Sequence, residues 1–500
     1  MSIALLLEMA VSGDPDRLAV VDREVRLTTT ELSALTSGGA AVVAATGAQH
    51  VAYVGSGGAM LPLLIFSSAR AAVPFTPLNY RLSADGLRRL LDRLPSALVV
   101  ADDEYVDMVA GMGKQVLRSD EFLGAARAAD PVEEFADPDG VAIVLFTSGT
   151  TSRPKAVELT HNNLTSYVTG TVEFASADAE DAALVCVPPY HIAGVGAVLS
   201  NLYAGRKIVY LTRFDAREWV RLVRDEKVTT ATVVPTMLDR IVGELETGTT
   251  ELPTLRSLAY GGSKVGLPLV RRTIELLPDV GLVNAYGLTE TSSTIAVLTP
   301  DDHLAAYRTE DAAAARRLGS VGRPVPGIEV QIRSQDGEVL GPGATGELYV
   351  RGPQVSGRYA EIGSVLDADG WFPTRDLAML DEEGYLYIGG RSDDTIIRGG
   401  ENIAPAEIED VLIEHPAVRD VVVVGLDDPR WVQIIVAVVV PEPGAEFDVD
   451  DLRTFAHKAL RGSRTPDRIE VVDQLPTTDT GKVMRREIIR ELSENVWSTT

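Results

Sequence analysis

The sequence predicts an α/β fold: a large N-terminal domain of layered, mostly parallel sheets with helices, including a small β-rich subdomain, and then a compact α+β C-terminal domain. Three observations carry this. Apolar runs of strand length alternate with helical stretches, the rhythm of parallel sheets covered by crossover helices. From about Gly319 the rhythm gives way to hairpin patterns. Beyond Gly389-Gly390-Arg391 a separate strand-and-helix pattern begins, and paired glycines permit the large φ/ψ changes of a boundary.

Taken in order, Thr28-Thr29-Thr30-Glu31-Leu32 reads as a capping box that opens a helix towards Ala45, with Gly47 as its stop. Val51–Val54 and Ala97–Val100 read as buried strands, separated by a helical run from Leu61 to Ala71. Val141 to Leu145 is another buried strand. It ends in the polar loop Thr147-Ser148-Gly149-Thr150-Thr151-Ser152-Arg153-Pro154-Lys155. Leu184–Pro188, Ile208–Leu211, the amphipathic Asp215–Asp225 and Thr229–Val234 continue the alternation. Glu329–Arg333 and Gly346–Val350 read as hairpin strands of a subdomain spanning 319–388. Ala404–His415 and Asp450–Leu460 read as helices, with Val418–Gly425 and Val432–Val440 as strands between them. The domains are then 1–388, a hinge at 389–393, and 394–500.

At 500 residues the chain exceeds one ordinary core. Hydrophobic residues at 45% and charged residues at 24% are those of a soluble globular protein. Lys+Arg 46 against Asp+Glu 72 leaves -26, a surface that repels phosphate backbones and argues against a nucleic-acid partner. An anionic ligand therefore needs a local cationic site. The single cysteine, Cys186, excludes an internal disulfide and fits a reducing, cytoplasmic compartment; it reads as a buried strand thiol. The N-terminal run lacks a basic n-region and is interrupted at Glu8, so no signal peptide is expected, nor any transmembrane segment.

The loop after Leu145 offers hydroxyls, backbone N–H groups around Gly149 and a cation at Lys155, which suits a polyphosphate. It is not the Walker pattern, and an ordinary Ser/Thr/Gly turn has the same composition. Four further motifs decide. Asn284-Ala285-Tyr286-Gly287-Leu288-Thr289-Glu290 brings a ring, a glycine and a carboxylate together. Trp371-Phe372-Pro373-Thr374-Arg375-Asp376 places an acid after an aromatic turn. Gly390-Arg391-Ser392-Asp393 precedes Arg398-Gly399-Gly400-Glu401-Asn402, and Thr480-Gly481-Lys482 stands near the C-terminus.

In this order and spacing, over nearly the whole chain, the motifs resemble the adenylate-forming superfamily of acyl- and aryl-CoA synthetases. The resemblance implies ATP, Mg²⁺ and CoA, or a carrier-protein phosphopantetheine in place of CoA. Thr147, Ser148, Gly149, Thr150, Thr151 and Lys155 match its phosphate-binding loop. Glu290 matches the carboxylate that helps hold Mg²⁺. Gly261, Gly262, Ser263, Ala285 and Tyr286 match the adenine-side wall, with the Tyr286 ring suited to stacking, and Gly287 and Thr289 are further cofactor-binding positions. Asp376 matches the acid that binds the ribose hydroxyls, and Arg391 its basic neighbour. Lys482 matches the lysine bridging the substrate carboxylate and the α-phosphate. The small domain is then a mobile lid that swings about Asp393, exchanging Lys482 for a thiol tunnel at Gly399 and Gly400.

Pro188-Pro189-Tyr190-His191 matches the aromatic-His segment of carboxylic-acid:CoA ligases. His191 in place of an aspartate argues against an amino-acid substrate, whose buried ammonium needs a carboxylate. His191 to Leu199, Leu258 to Ser263 and Ala285 are expected to line an apolar acid pocket, and Lys264 either meets a second carboxylate or is solvated. Ser152, Ala156 and Arg375 stand where the family usually has glycine, and Val432-Gln433 replaces the usual Gly-Glu after Trp431. The expected activity is acid–thiol ligation: acyl-adenylate formation, then transfer to CoA. Transfer to a carrier protein, specialised adenylation in a biosynthetic pathway, or an inactive nucleotide- or acyl-binding protein are the alternatives.

Overall fold

The computed structural model describes residues 1–132, 136–147, 154–248, 251–398, 401–460, 462–478 and 481–494. Among them the strands form four sheets. In the nine-stranded sheet, neighbours run parallel from Gly281–Leu288 through Ser257–Gly261, Thr230–Val233, Ala182–Val185 and Lys207–Tyr210 to Leu18–Asp22. Antiparallel strands close its two edges. The eight-stranded sheet is parallel from Val141–Thr147 to Gln115–Arg118 and antiparallel on the side of Lys155–Thr160 and Arg358–Tyr359.

The strand His50–Val54 shows why its residues after His50 form an unbroken apolar run. Val51 and Tyr53 enter the core shared with the nine-stranded sheet, while Ala52 and Val54 enter a second core on the opposite face. A strand buried on both faces reads as a continuous apolar run. The helices Met60–Arg70 and Ile192–Ala204 are sandwiched between the two sheets and fill the shared core with Leu64, Phe66, Val195 and Leu199. The helix Thr29–Thr46 begins at Thr28 with the capping box that the sequence implies. It ends at Gly47 in the left-handed conformation (φ 66°), which an L-residue adopts only at a cost.

The region after Gly319 forms a four-stranded antiparallel sheet of Glu329–Arg333, Thr345–Arg351, Phe372–Leu380 and Leu386–Arg391. Two sequence expectations change here. Trp371–Asp376 is not a turn, because all but Trp371 lies within the strand Phe372–Leu380. Gly389 and Gly390 likewise lie inside the strand Leu386–Arg391, and the chain turns only at Ser392–Asp394.

A further sheet carries Ile396–Arg398, Glu401–Ile403, Val418–Asp428, Val432–Pro441 and Arg468–Val471, with its own apolar clusters on its two faces. Cys186, just beyond the strand Ala182–Val185, is buried, and burial pushes its thiol up to about 12. No described helix is long and apolar enough to cross a membrane.

Candidate active site

The site is assembled where strand ends from three sheets converge. Thr147 closes the strand Val141–Thr147 and stands in register with Lys155, which opens the returning strand. Ser148, Gly149, Thr150 and Thr151 lie outside the described residues, as does Ser152. Lys155 places its Nζ 5.1 Å from the centre of the Tyr359 ring. The Tyr359 hydroxyl in turn donates to Glu290 Oε1 at 2.8 Å. Glu290 sits in a single 3₁₀ turn, Thr289–Thr291, directly after the strand Gly281–Leu288. Its Oε2 has no hydrogen-bond partner among the described residues.

The same strand supplies Ala285, Tyr286 and Gly287. Gly261 pairs with Ala285, and a Cβ on Gly261 would lie 2.2 Å from the Ala285 carbonyl oxygen, so the strands approach this closely only with glycine there. Gly262 and Ser263 follow at the strand end, at the protein surface or partly open to it.

Asp376 is the best-enclosed acid of the site, at 5% exposure. It faces Arg391 across a strand pair, and Arg391 Nη1 donates to its Oδ1 at 3.0 Å and to the Thr374 carbonyl at 3.1 Å. The Tyr286 hydroxyl donates to the other carboxylate oxygen. Burial pushes the Asp376 carboxyl above the usual aspartate value, against the pull of Arg391, Tyr286 and, more weakly, Lys482. Beside Lys482, Gly481 (φ 75°) is pressed on Thr236, and a Cβ there would lie 2.5 Å from Thr236 Oγ1.

Further contacts join the region after Ser392 to the large sheets. Lys264 pairs with Asp410 at 2.5 Å, and Arg419 with Asp239 at 3.2 Å. Lys264 is thus a solvated surface lysine, paired with Asp410 in an exposed ion pair. Asp393 occupies the turn Ser392–Asp394, while Gly399 and Gly400 lie outside the described residues.

His191 sits at the N-cap position of Ile192–Ala204, its ring 4.7 Å from that of Tyr190. Tyr190 continues to Tyr80 and Tyr105 in an aromatic chain. Val195, Val198, Leu199 and Leu258, expected in the acid pocket, are instead packed in the cores. A cleft of about 460 Å³ opens beside Thr236 and carries Arg81, Arg213 and Arg240 with Tyr80, Tyr105 and Phe214.

The departures from glycine now have a backbone reading. Arg375 (φ 64°) and Val432 (φ 72°) both occupy the left-handed region. A chiral residue costs about 1–2 kcal/mol there, and a β-branched one is an outlier. Arg375 points outward, half exposed, 3.8 Å from Glu347. Gln433 accepts from the Ile397 N–H at 2.8 Å and so tethers the strand leading to Gly399. Sequence reasoning missed Tyr359, Thr236 and the arginine cleft, none of which belongs to a motif.

Residues 7–360 match the AMP-binding enzyme family, and residues 407–482 match the AMP-binding enzyme C-terminal domain. Fatty acid–[acyl-carrier-protein] ligase ScoC of Streptomyces coeruleorubidus is 34% identical, over 88% of this chain and 86% of the relative. A feruloyl-CoA synthase of Amycolatopsis is 34% identical over 88% of both. The o-succinylbenzoate CoA synthetase of Bacillus subtilis, solved with its acyl-adenylate intermediate, superposes with a TM-score of 0.83 at 28% identity over 97% of both chains. Both parts of the chain match, and so does the overall fold: the protein belongs to the AMP-binding, adenylate-forming enzyme family.

Proposed function

We propose that this enzyme activates a hydrophobic carboxylic acid, fatty or aryl, with ATP, and passes the acyl group to the thiol of CoA. The observation that carries the reading is the buried Asp376–Arg391–Tyr286 group, the Glu290–Tyr359–Lys155 contacts, and Gly481, the neighbour of Lys482, lying against Thr236. Asp376 would take the ribose hydroxyls on lone pairs that Tyr286 and Arg391 leave over. Gly261, Gly262, Ser263 and Ala285 would wall the adenine. Thr147 and Lys155, with the loop between them, would hold the β- and γ-phosphates. Glu290 fits a hard divalent cation through Oε2, and Mg²⁺ bound there supplies charge neutralisation to the triphosphate.

In the first step a substrate carboxylate oxygen bonds to the α-phosphorus, and the bond to pyrophosphate breaks. Negative charge accumulates at that phosphorus, where a positioned ammonium at Lys482 stabilises it. In the second step the thiol sulfur bonds to the acyl carbon, its proton is lost, and AMP departs. We assign 1–388 to the ATP- and acid-binding domain, with 319–388 its β-rich subdomain, 389–393 to the hinge and 394–500 to the lid. Rotation about Asp393 would exchange Lys482 for Gly399 and Gly400 at the site.

In the cleft beside Thr236, Arg213 is paired with Glu104 and Arg240 lies over Phe214, and these cations are in keeping with an acceptor that carries phosphate on a chain whose net charge is -26. That fits CoA. It fits a carrier-protein phosphopantetheine as a second reading, which the Val432-Gln433 pair and the likeness to an acyl-carrier-protein ligase favour. Incubation with ATP, Mg²⁺ and a panel of fatty and aryl acids should release pyrophosphate before any thiol is added, and no release with any acid overturns the reading. Thioester formed with free CoA as fast as with a loaded carrier protein removes the second reading.

A further inference from the structure

Tyr359 belongs to no motif, yet it touches both the carboxylate and the cation that the phosphates would meet. Arg358–Tyr359 is a strand of 2 residues, paired so that Tyr359 lies opposite Val157. The segment is fastened on both sides. The Ser356 N–H donates to the Glu290 carbonyl at 2.8 Å, and the Ala360 N–H to the Ala156 carbonyl at 2.9 Å. One residue further, Glu361 pairs with Arg93, which donates to the Pro154 carbonyl at 2.8 Å. The Tyr359 side chain, 7% exposed, therefore has little freedom. Its hydroxyl donates to Glu290 Oε1, and its ring lies within cation–π distance of the Lys155 ammonium.

We propose that Tyr359 is a positioning residue for the metal–phosphate half of the site. It fixes the Glu290 carboxylate so that Oε2 alone faces a divalent cation, and it seats Lys155 beside that cation's phosphate ligands. This rests on the reading of Glu290 and Lys155 given above. A carboxylate that rotates freely can turn either oxygen, or both, towards a metal. A carboxylate with one oxygen held by a rigid phenol presents the other in one direction, and partners of this kind are worth about 10–100-fold in metal affinity.

The test compares Tyr359→Phe, Tyr359→Leu, Glu290→Gln and Arg358→Ala. Two quantities are read: the Mg²⁺ concentration for half-maximal ATP–pyrophosphate exchange, and Mn²⁺ affinity for the protein–ATP complex by electron paramagnetic resonance without turnover. Tyr359→Phe, which loses only the hydroxyl, should raise the Mg²⁺ requirement and weaken Mn²⁺ by about tenfold, with the KM for the acid unchanged. Tyr359→Leu should also raise the KM for ATP, as Lys155 loses its seat. Arg358→Ala alters the same short strand but should leave both metal readouts at wild-type values. If Glu290→Gln weakens metal and Tyr359→Phe does not, the proposal for Tyr359 is overturned and Glu290 stands. It is also overturned if Arg358→Ala reproduces the Phe phenotype, since the strand is then the cause. If Glu290→Gln leaves metal binding intact, the underlying reading of Glu290 falls with it.

Discussion

The Asp376 wall and the Lys482 turn, which the proposed function assigns to one site, are held by different physics. Asp376 is buried, flanked in the sheet by Arg391, and hydrogen-bonded on both oxygens. Lys482 is exposed, on a turn closed by Thr478 and Gly481, and joined to the large sheets by the Thr236 contact and solvated ion pairs. Removing a partner from the first arrangement strands buried polar groups. Removing one from the second exposes almost nothing new. A binding wall benefits from being fixed before the nucleotide arrives, whereas a group needed in one half-reaction benefits from weak tethers.

The contrast is broken most severely at Lys482. Lys482→Ala should slow adenylation on the order of a hundred- to a thousandfold, because the charge acts only as the transition state develops, while ATP affinity stays near wild type. Pre-steady-state pyrophosphate release and nucleotide titration separate the two; equal losses in both would place Lys482 in the wall.

Asp376→Asn should do the converse. We expect an ATP KM raised about tenfold and a stability loss of about 1–3 kcal/mol, read by calorimetry, as Arg391 and Tyr286 lose their charged partner. Acid should mimic its effect on ATP binding, though not its effect on stability. The folded Asp376 carboxyl titrates above the ordinary 3.8. Its protonated form is therefore the favoured one in the fold, a contribution complete below 3.8 and lost as pH rises through the folded value. Ribose binding has the opposite need, so the KM for ATP should rise on acidification before an ordinary aspartate would protonate. In Asp376→Asn that rise should vanish.

Smaller effects sharpen the boundary between the regions. Val432→Gly relieves a left-handed β-branched residue and should raise the stability of the C-terminal unit by about 1 kcal/mol in denaturant melts. Smallest is the double change Lys264→Ala with Arg419→Ala. Both pairs are substantially exposed, so adenylation should shift at most about fivefold, and less in high salt. A larger, salt-insensitive loss would show that the lysine turn is as firmly built as the wall.

What could be read beforehand follows the same division. Asp376, Arg391, Glu290 and Lys482 stand in contiguous motifs, and the capping box at Thr28–Glu31 is local chemistry. The strand–helix alternation was legible because strands buried on both faces leave unbroken apolar runs. Tyr359 was not, since a strand of 2 residues has no periodicity and its partner Glu290 lies 69 positions away. The Tyr286 hydroxyl bond to Asp376 spans 90 positions, so the ring looked like a stacking surface alone. Arg375 and Val432 looked like losses of glycine, but only the backbone shows that both keep the glycine conformation.

The contact between Gly481 and Thr236 has a kinetic consequence. There the backbone of Gly481 lies against the Thr236 side chain, leaving no room for a methyl group. Withdrawing the turn would part Gly481 from an exposed threonine. An alanine at 481 would act as a spacer, holding the ammonium back from the α-phosphate while leaving the way out unobstructed. On the proposed function, the missing methyl group would set how near the lysine comes, and the weak tethers how soon it leaves.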